Sequence, residues 1–197
     1  NKKSNIKSFL QNICQFDVSK LNDERISLLF QILKKDNEPK VFLGFASAYE
    51  TICQFIERNR ENFIFDFNVK AIIANSEYLN DYTRETMCKF FNAPVYSRYS
   101  NEEIGLIAQQ IQGSGYDFVI NWASYYVELL DFNSDVPVEQ GKPGRIVVTD
   151  LFNYCMPLIR FDTGDVGVFT NTYNGEMPNF KRVEGRKMDL IYDTSGN

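Results

Sequence analysis

From about residue 5 to residue 97 the chain alternates two spacings of apolar side chains. Ile6, Phe9, Leu10 and Ile13 recur at helical spacing between Asn5 and Phe16; Ile26, Leu29, Phe30 and Leu33 do so between Asp23 and Lys34, with Asn22 placed to cap the second helix. Lys40-Val41-Phe42-Leu43-Gly44 is a short buried strand. Ser47 opens an amphipathic helix through Tyr49, Ile52, Phe55 and Ile56. Lys70 to Ala74 is the next strand, followed by a helix from about Asn80 to Phe91 and a third strand from Ala93 to Ser97. Strand, helix, strand, helix, strand predicts a parallel sheet flanked by helices.

After about Tyr116 the pattern changes to short alternating strands separated by Asp, Asn, Gly and Pro. They run over Phe118 to Trp122, Tyr126 to Asp131, Arg145 to Thr149, Leu158 to Phe161, Val166 to Thr170 and Lys181 to Val183. The expected fold class is therefore α/β followed by a small, mostly antiparallel β subdomain, either a sheet or a barrel. The division falls between residues 1–117 and 118–197. No internal repeat, low-complexity run or flexible linker separates the parts, which predicts one unit.

Composition narrows the function. The chain has 197 residues, 44% of them hydrophobic, enough for one sizeable core or two small ones. A formal net charge of -5 leaves no basic excess for broad binding to nucleic acid or an anionic membrane. No apolar run approaches the roughly 20 residues that cross a bilayer, and no signal peptide is recognisable, so a cytoplasmic setting is expected. Cys14, Cys53, Cys88 and Cys155 form no Cys-x-x-Cys pair and are expected to be reduced and buried. Histidine is absent, which removes Ser-His-Asp triads, Cys-His dyads and the commonest zinc ligand. A start at Asn1 and a stop soon after a motif suggest a piece of a larger protein.

Three segments carry candidate chemistry. Pro157-Leu158-Ile159-Arg160-Phe161-Asp162-Thr163-Gly164-Asp165 reads as an apolar strand ending in a Thr-Gly-Asp turn. A rigidly held Asp165 could accept hydrogen bonds from two adjacent hydroxyls, as a ribose diol requires; an ordinary hairpin explains the same residues. The other two segments end parallel strands, where open α/β sheets bind ligands. One is Ile72 to Leu79, with Ser76 and Glu77. The other is Val95 to Gly105, where Arg98, Tyr99, Ser100, Asn101, Glu102 and Glu103 leave a strand and are expected to enter a helix.

In order along the chain, these segments resemble the signatures of the adenylate-forming ligases, the acyl-CoA synthetase superfamily. Tyr99 to Glu103 is similar to the signature Tyr-Gly-x-Ser/Thr-Glu, with Ser100 in place of Gly and Glu102 in place of the hydroxyl residue. Glu139 to Leu151 resembles the Gly-Lys-Pro-Gly turn and strand that precede the ribose motif. Val183 to Ile191 resembles the Gly-Arg-x-x-Asp signature before the interdomain hinge. Within the superfamily, Ser76-Glu77-Tyr78-Leu79, Val127 to Asp131 and Thr149 to Asn153 are most similar to the phenylacetate-CoA ligase, capsule-biosynthesis and coenzyme F synthetase-like branch.

The resemblance implies roles and a reaction. Tyr99 packs against adenine, Asp165 binds ribose, Arg186 contacts ribose or phosphate, and Glu103 is the catalytic carboxylate that helps hold Mg²⁺. Ser76, Glu77, Arg98, Ser100 and Asn101 complete the expected nucleotide-binding set. MgATP activates a carboxylic acid to an acyl-adenylate, which passes to CoA or another acceptor. No structural zinc is implied, because Asn174 to Pro178 lacks the cysteines of some branch members. The family's Ser/Thr/Gly-rich phosphate loop is missing, as is its lysine-bearing C-terminal domain, so the fragment by itself is expected to be inactive. The expected partners are a small carboxylic acid and a nucleotide, without nucleic acid or membrane; a homo-oligomer is compatible. A noncatalytic member of the family that binds a nucleotide or another protein is the alternative, favoured by Ser100 and Glu102.

Overall fold

The computed structural model describes residues 11–59, 66–172 and 175–186. The side chain of Asn22 accepts a hydrogen bond from the Arg25 N–H at 3.0 Å and starts α1, Asp23–Lys35, where Ile26, Phe30 and Leu33 form the buried face. Strand β1, Lys40–Phe45, runs into α2, Ala46–Arg58. Strand β2, Val69–Asn75, leads through the capping side chain of Asn80 to α3, Asp81–Phe91, and then to β3, Val95–Asn101. Strands β1, β2 and β3 are parallel neighbours in that order, and the helices of both crossovers pack into one core against them, which places the helices on one face of the sheet. Val41, Leu43 and Phe45 on β1 stay exposed. The expected flanking helices thus lie on one side of the sheet among the described residues.

Beyond β3 every pairing is antiparallel. Strands β4, Gly105–Gln110, β5, Phe118–Ile120, β6, Tyr125–Leu130, β7, Pro143–Asp150, β8, Phe161–Phe169, and β9, Phe180–Arg186, complete one nine-stranded sheet of order β1-β2-β3-β4-β5-β9-β8-β7-β6. The antiparallel strands therefore continue the parallel sheet. Two hydrophobic clusters form. One packs Phe30, Phe55, Phe67 and Phe91 with Ile72 under the helices; the other gathers Tyr99, Ile107, Ile120, Ile146, Val148 and Phe180.

Four expectations are corrected. The segment from Tyr99 to Gly105 enters no helix: β3 and β4 form a hairpin whose turn is made by Glu102, Glu103 and Ile104. Asn101 Oδ1 accepts the Ile104 N–H at 2.8 Å, and Gly105 takes a φ of +96°, which stops helical propagation. Residues 157–160 are not a strand. Instead β8 begins at Phe161 and runs continuously through Thr163, Gly164 and Asp165, merging two expected strands. Of the expected first helix, residues 5–10 lie outside the described residues, and 11–16 are not helical. Cys53 is buried, but Cys14, Cys88 and Cys155 are exposed; all four are free thiols.

Candidate nucleotide site

The centre of the site is a bulge in β8. Along β7, Arg145 pairs with Val166 and Val147 with Asp162, so Ile146 alone faces Thr163, Gly164 and Asp165. Gly164 absorbs the distortion at a φ of +78°. Thr163 Oγ1 donates to the Ile146 carbonyl at 3.1 Å and accepts the Asp165 N–H at 3.2 Å. The bulge thus projects the Asp165 carboxylate towards β3, where the Tyr99 hydroxyl donates to Asp165 Oδ2 at 2.8 Å and lies 3.1 Å from Thr163 Oγ1.

This contact requires a curled sheet. Three strands lie between β3 and β8 in the sheet order. In a flat sheet that would set them about 19 Å apart, far beyond the reach of a Tyr-Asp pair. Curling places the Tyr99 ring, 8% exposed, in the second core, edge-to-face on Phe180 with centroids 6.0 Å apart. Burial pushes the Tyr99 hydroxyl well above its usual range, and the neighbouring Asp165 charge adds to it. Burial also holds the Asp165 carboxyl above the ordinary carboxylate range, while the Tyr99 hydrogen bond and the Arg186 charge pull it back.

Arg186 reaches this neighbourhood because it pairs with Asp165 across the β8–β9 ladder. Glu103, exposed in the β3–β4 turn, adds a negative charge felt by the same carboxyl. Tyr99, Glu103, Asp165 and Arg186 therefore share one neighbourhood. The remaining candidates lie at the carboxyl ends of the parallel strands. The Ser100 hydroxyl donates to Asn75 Oδ1 at 2.9 Å, and Asn75 Nδ2 donates to Ser76 Oγ at 2.9 Å. Ser76 is exposed with a φ of +66°. Glu77 accepts the Ser47 N–H at 2.7 Å, so its carboxylate is engaged at the positive N-terminal end of α2. Arg98 donates to Gln109 Oε1 at 2.9 Å across the hairpin, and Asn101 is occupied with its turn.

Thr163 and Asn75 take part in these networks and were not singled out in the sequence. Thr163 sits between two carboxylates in Asp-Thr-Gly-Asp, a signal that could have found it. Asn75 has none beyond its place at a strand end.

Among the described residues no group of three His, Cys, Asp or Glu side chains could hold a metal ion unaided. A lone exposed Glu103 nevertheless fits Mg²⁺, which keeps several waters and takes other ligands from substrate phosphates. Among the same residues no helix is long and apolar enough to cross a membrane.

No protein-family profile matches the chain. Solved structures do. An open conformation of 2-hydroxyisobutyryl-CoA ligase in complex with 2-HIB-AMP and CoA superposes with a TM-score of 0.70 at 21% identity, covering 89% of this chain and 40% of that one. Apo MatB from Rhodopseudomonas palustris superposes with a TM-score of 0.59 at 16% identity, covering 88% and 35%. The fold is that of the adenylate-forming CoA ligases, over the part of their length that the chain spans. In sequence it is similar to Protein CapK of Staphylococcus aureus, 26% identical over 183 residues. That match spans 90% of this chain and 38% of the relative.

Proposed function

We propose that the full-length protein carrying this chain is an AMP-forming acid-thiol ligase, and that the chain supplies the ribose side of its nucleotide site. The observation that carries the proposal is the Asp165 carboxylate, presented by a bulge, oriented by Tyr99 and flanked by Arg186 and Glu103. The match to a ligase solved with an acyl-AMP and CoA supports it.

In this reading Asp165 accepts hydrogen bonds from both ribose hydroxyls and fixes the sugar. Tyr99 orients that carboxylate from the core, and adenine packs beside it. Arg186 donates to ribose or phosphate oxygens from a fixed positive charge. Glu103 would hold Mg²⁺, which supplies charge neutralisation at the phosphates when bound. The substrate carboxylate attacks the α-phosphorus, pyrophosphate leaves, and the acyl-adenylate then passes its acyl group to a thiol, CoA in the first instance, releasing AMP. Ser76, Glu77, Arg98, Ser100 and Asn101 line the strand ends beside this site, and a cytoplasmic setting belongs to the same proposal.

Binding of AMP to the full-length protein, followed by calorimetry, tests it. Asp165→Asn keeps the shape but loses the charge, and hydrogen bonds to charged groups contribute about 1.5–3 kcal/mol. A loss of about tenfold or more in AMP affinity is expected; unchanged affinity would overturn the ribose assignment. Glu103→Ala should lower ATP–pyrophosphate exchange more than AMP binding. One observation favours a second reading, a noncatalytic nucleotide binder: Glu102 stands exposed where the family offers a hydroxyl, and the Ser100 hydroxyl is committed to Asn75. AMP binding without exchange across a panel of carboxylic acids would decide for that reading.

A further inference from the structure

The bulge that presents Asp165 is held from two sides. On the inner side, Thr163 bonds to the Ile146 carbonyl and the Asp165 N–H and lies against the Tyr99 hydroxyl. On the outer side stands Asp162, whose carboxylate bridges two elements. Its Oδ1 accepts the Gly164 N–H at 3.0 Å, and its Oδ2 accepts Arg145 Nη1 at 2.8 Å. No atom lies within 4 Å of where a Gly164 side chain would begin, so packing does not hold this turn of the bulge in place. Polar anchors must do so.

Arg145 is built to be such an anchor. Its side chain is only 17% exposed. Beyond Asp162, its Nε donates to the Asp131 carbonyl at 2.9 Å, and its Nη2 bonds to the Ser134 carbonyl and the Asp135 carboxylate. The guanidinium is thereby fixed to β7 and to the β6–β7 loop, and it transmits that rigidity through one carboxylate to the backbone of Gly164. A planar fork with several donors suits the task; an ammonium group could satisfy only part of it.

We propose that Arg145 is a positioning residue for the ribose-binding carboxylate, acting through Asp162 and Gly164 without touching the nucleotide. The inference rests on the assignment of Asp165 as the ribose acceptor. Its electrostatic corollary is specific. The Arg145 charge neutralises Asp162, whose own charge disfavours ionisation of Asp165. Without the guanidinium, Asp162 stands as an uncompensated anion beside the site, and Asp165 becomes harder to ionise.

The test compares AMP affinity across pH for the full-length wild type, Arg145→Met, Arg145→Lys, Asp162→Asn and Asp165→Asn, with a thermal melt of each. Misplacing a binding group by a fraction of an ångström is costly, so Arg145→Met is expected to weaken AMP binding about fivefold to tenfold near neutral pH. It should also raise the pH midpoint at which binding is lost on acidification. Arg145→Lys should restore the midpoint and part of the affinity. Asp162→Asn, which removes the charge and with it the ion pair to Arg145, should weaken binding while moving the midpoint down. These opposite shifts would not follow from a general loosening of the fold. If Arg145→Met does not fold, the affinities of Arg145→Lys and Asp162→Asn carry the test, and wild-type affinity in both would overturn the positioning role. Wild-type affinity and midpoint in Arg145→Met or Asp162→Asn, with binding lost in Asp165→Asn, would overturn the positioning role. Normal binding by Asp165→Asn would instead overturn the ribose assignment beneath it.

Discussion

On the proposed ribose assignment Asp165 must be ionised to accept two hydroxyls, yet burial favours its neutral form. Its carboxyl is therefore raised, and AMP affinity should fall on acidification above the ordinary Asp value of about 3.9. Tyr99→Phe removes a hydrogen bond that favours the ionised form, so the midpoint of that loss should move to higher pH; an unmoved midpoint would deny Tyr99 its orienting role. Stability without ligand runs the other way. A carboxyl raised by folding favours the fold most fully at pH values below the ordinary one, and that contribution is lost as pH rises through the folded value. This chain has no histidine, so none of its own side chains adds an imidazole titration to the window. Tyr99, Glu103, Asp165 and Arg186 could be chosen from sequence because each lies in a short signature. Arg145 could not, since its link to Asp162 exists only once β7 and β8 are in register.

At the scale of elements, β7 depends on close approach to its neighbours. A side chain at Gly144 would begin 2.9 Å from the Leu130 carbonyl oxygen and 3.1 Å from the Val138 methyls. Gly144→Ala should destabilise the protein by about 1–3 kcal/mol, seen as a lower urea midpoint with an unchanged slope; an unchanged midpoint would mean that the β6–β7 loop yields freely. Helices α1 to α3 were legible because their signals are local: Asn22 caps α1 as its position predicts, and Asn80, near which the third was expected to start, caps α3. The β3–β4 hairpin was not. Ser100, Asn101 and two glutamates resemble a helix start, and only pairing of β3 with β4 and the left-handed Gly105 decide otherwise. The apolar stretch before Phe161 misled for a similar reason. Alternation shows which residues suit a strand, but ladder pairing with β7 determines where β8 begins.

For the whole molecule, the sequence disclosed two textures without disclosing that they share a sheet. That fact lies in the junction of β5 with β9, where Phe118 pairs with Phe180, and in the curl that returns β8 to β3. Tyr99 and Asp165, bonded in the site, are 66 residues apart in the chain. Contacts of such separation form slowly, because the entropy of closing the loop is lost before the contact stabilises anything. The strand-helix units of residues 40–101 need only short closures and should order first. In refolding from urea, far-ultraviolet ellipticity should recover before the capacity to bind AMP; simultaneous recovery would contradict this order. On the proposed function, nucleotide competence is then a late folding event, and a ligand that grips only the finished curl should slow unfolding while leaving the folding rate nearly untouched.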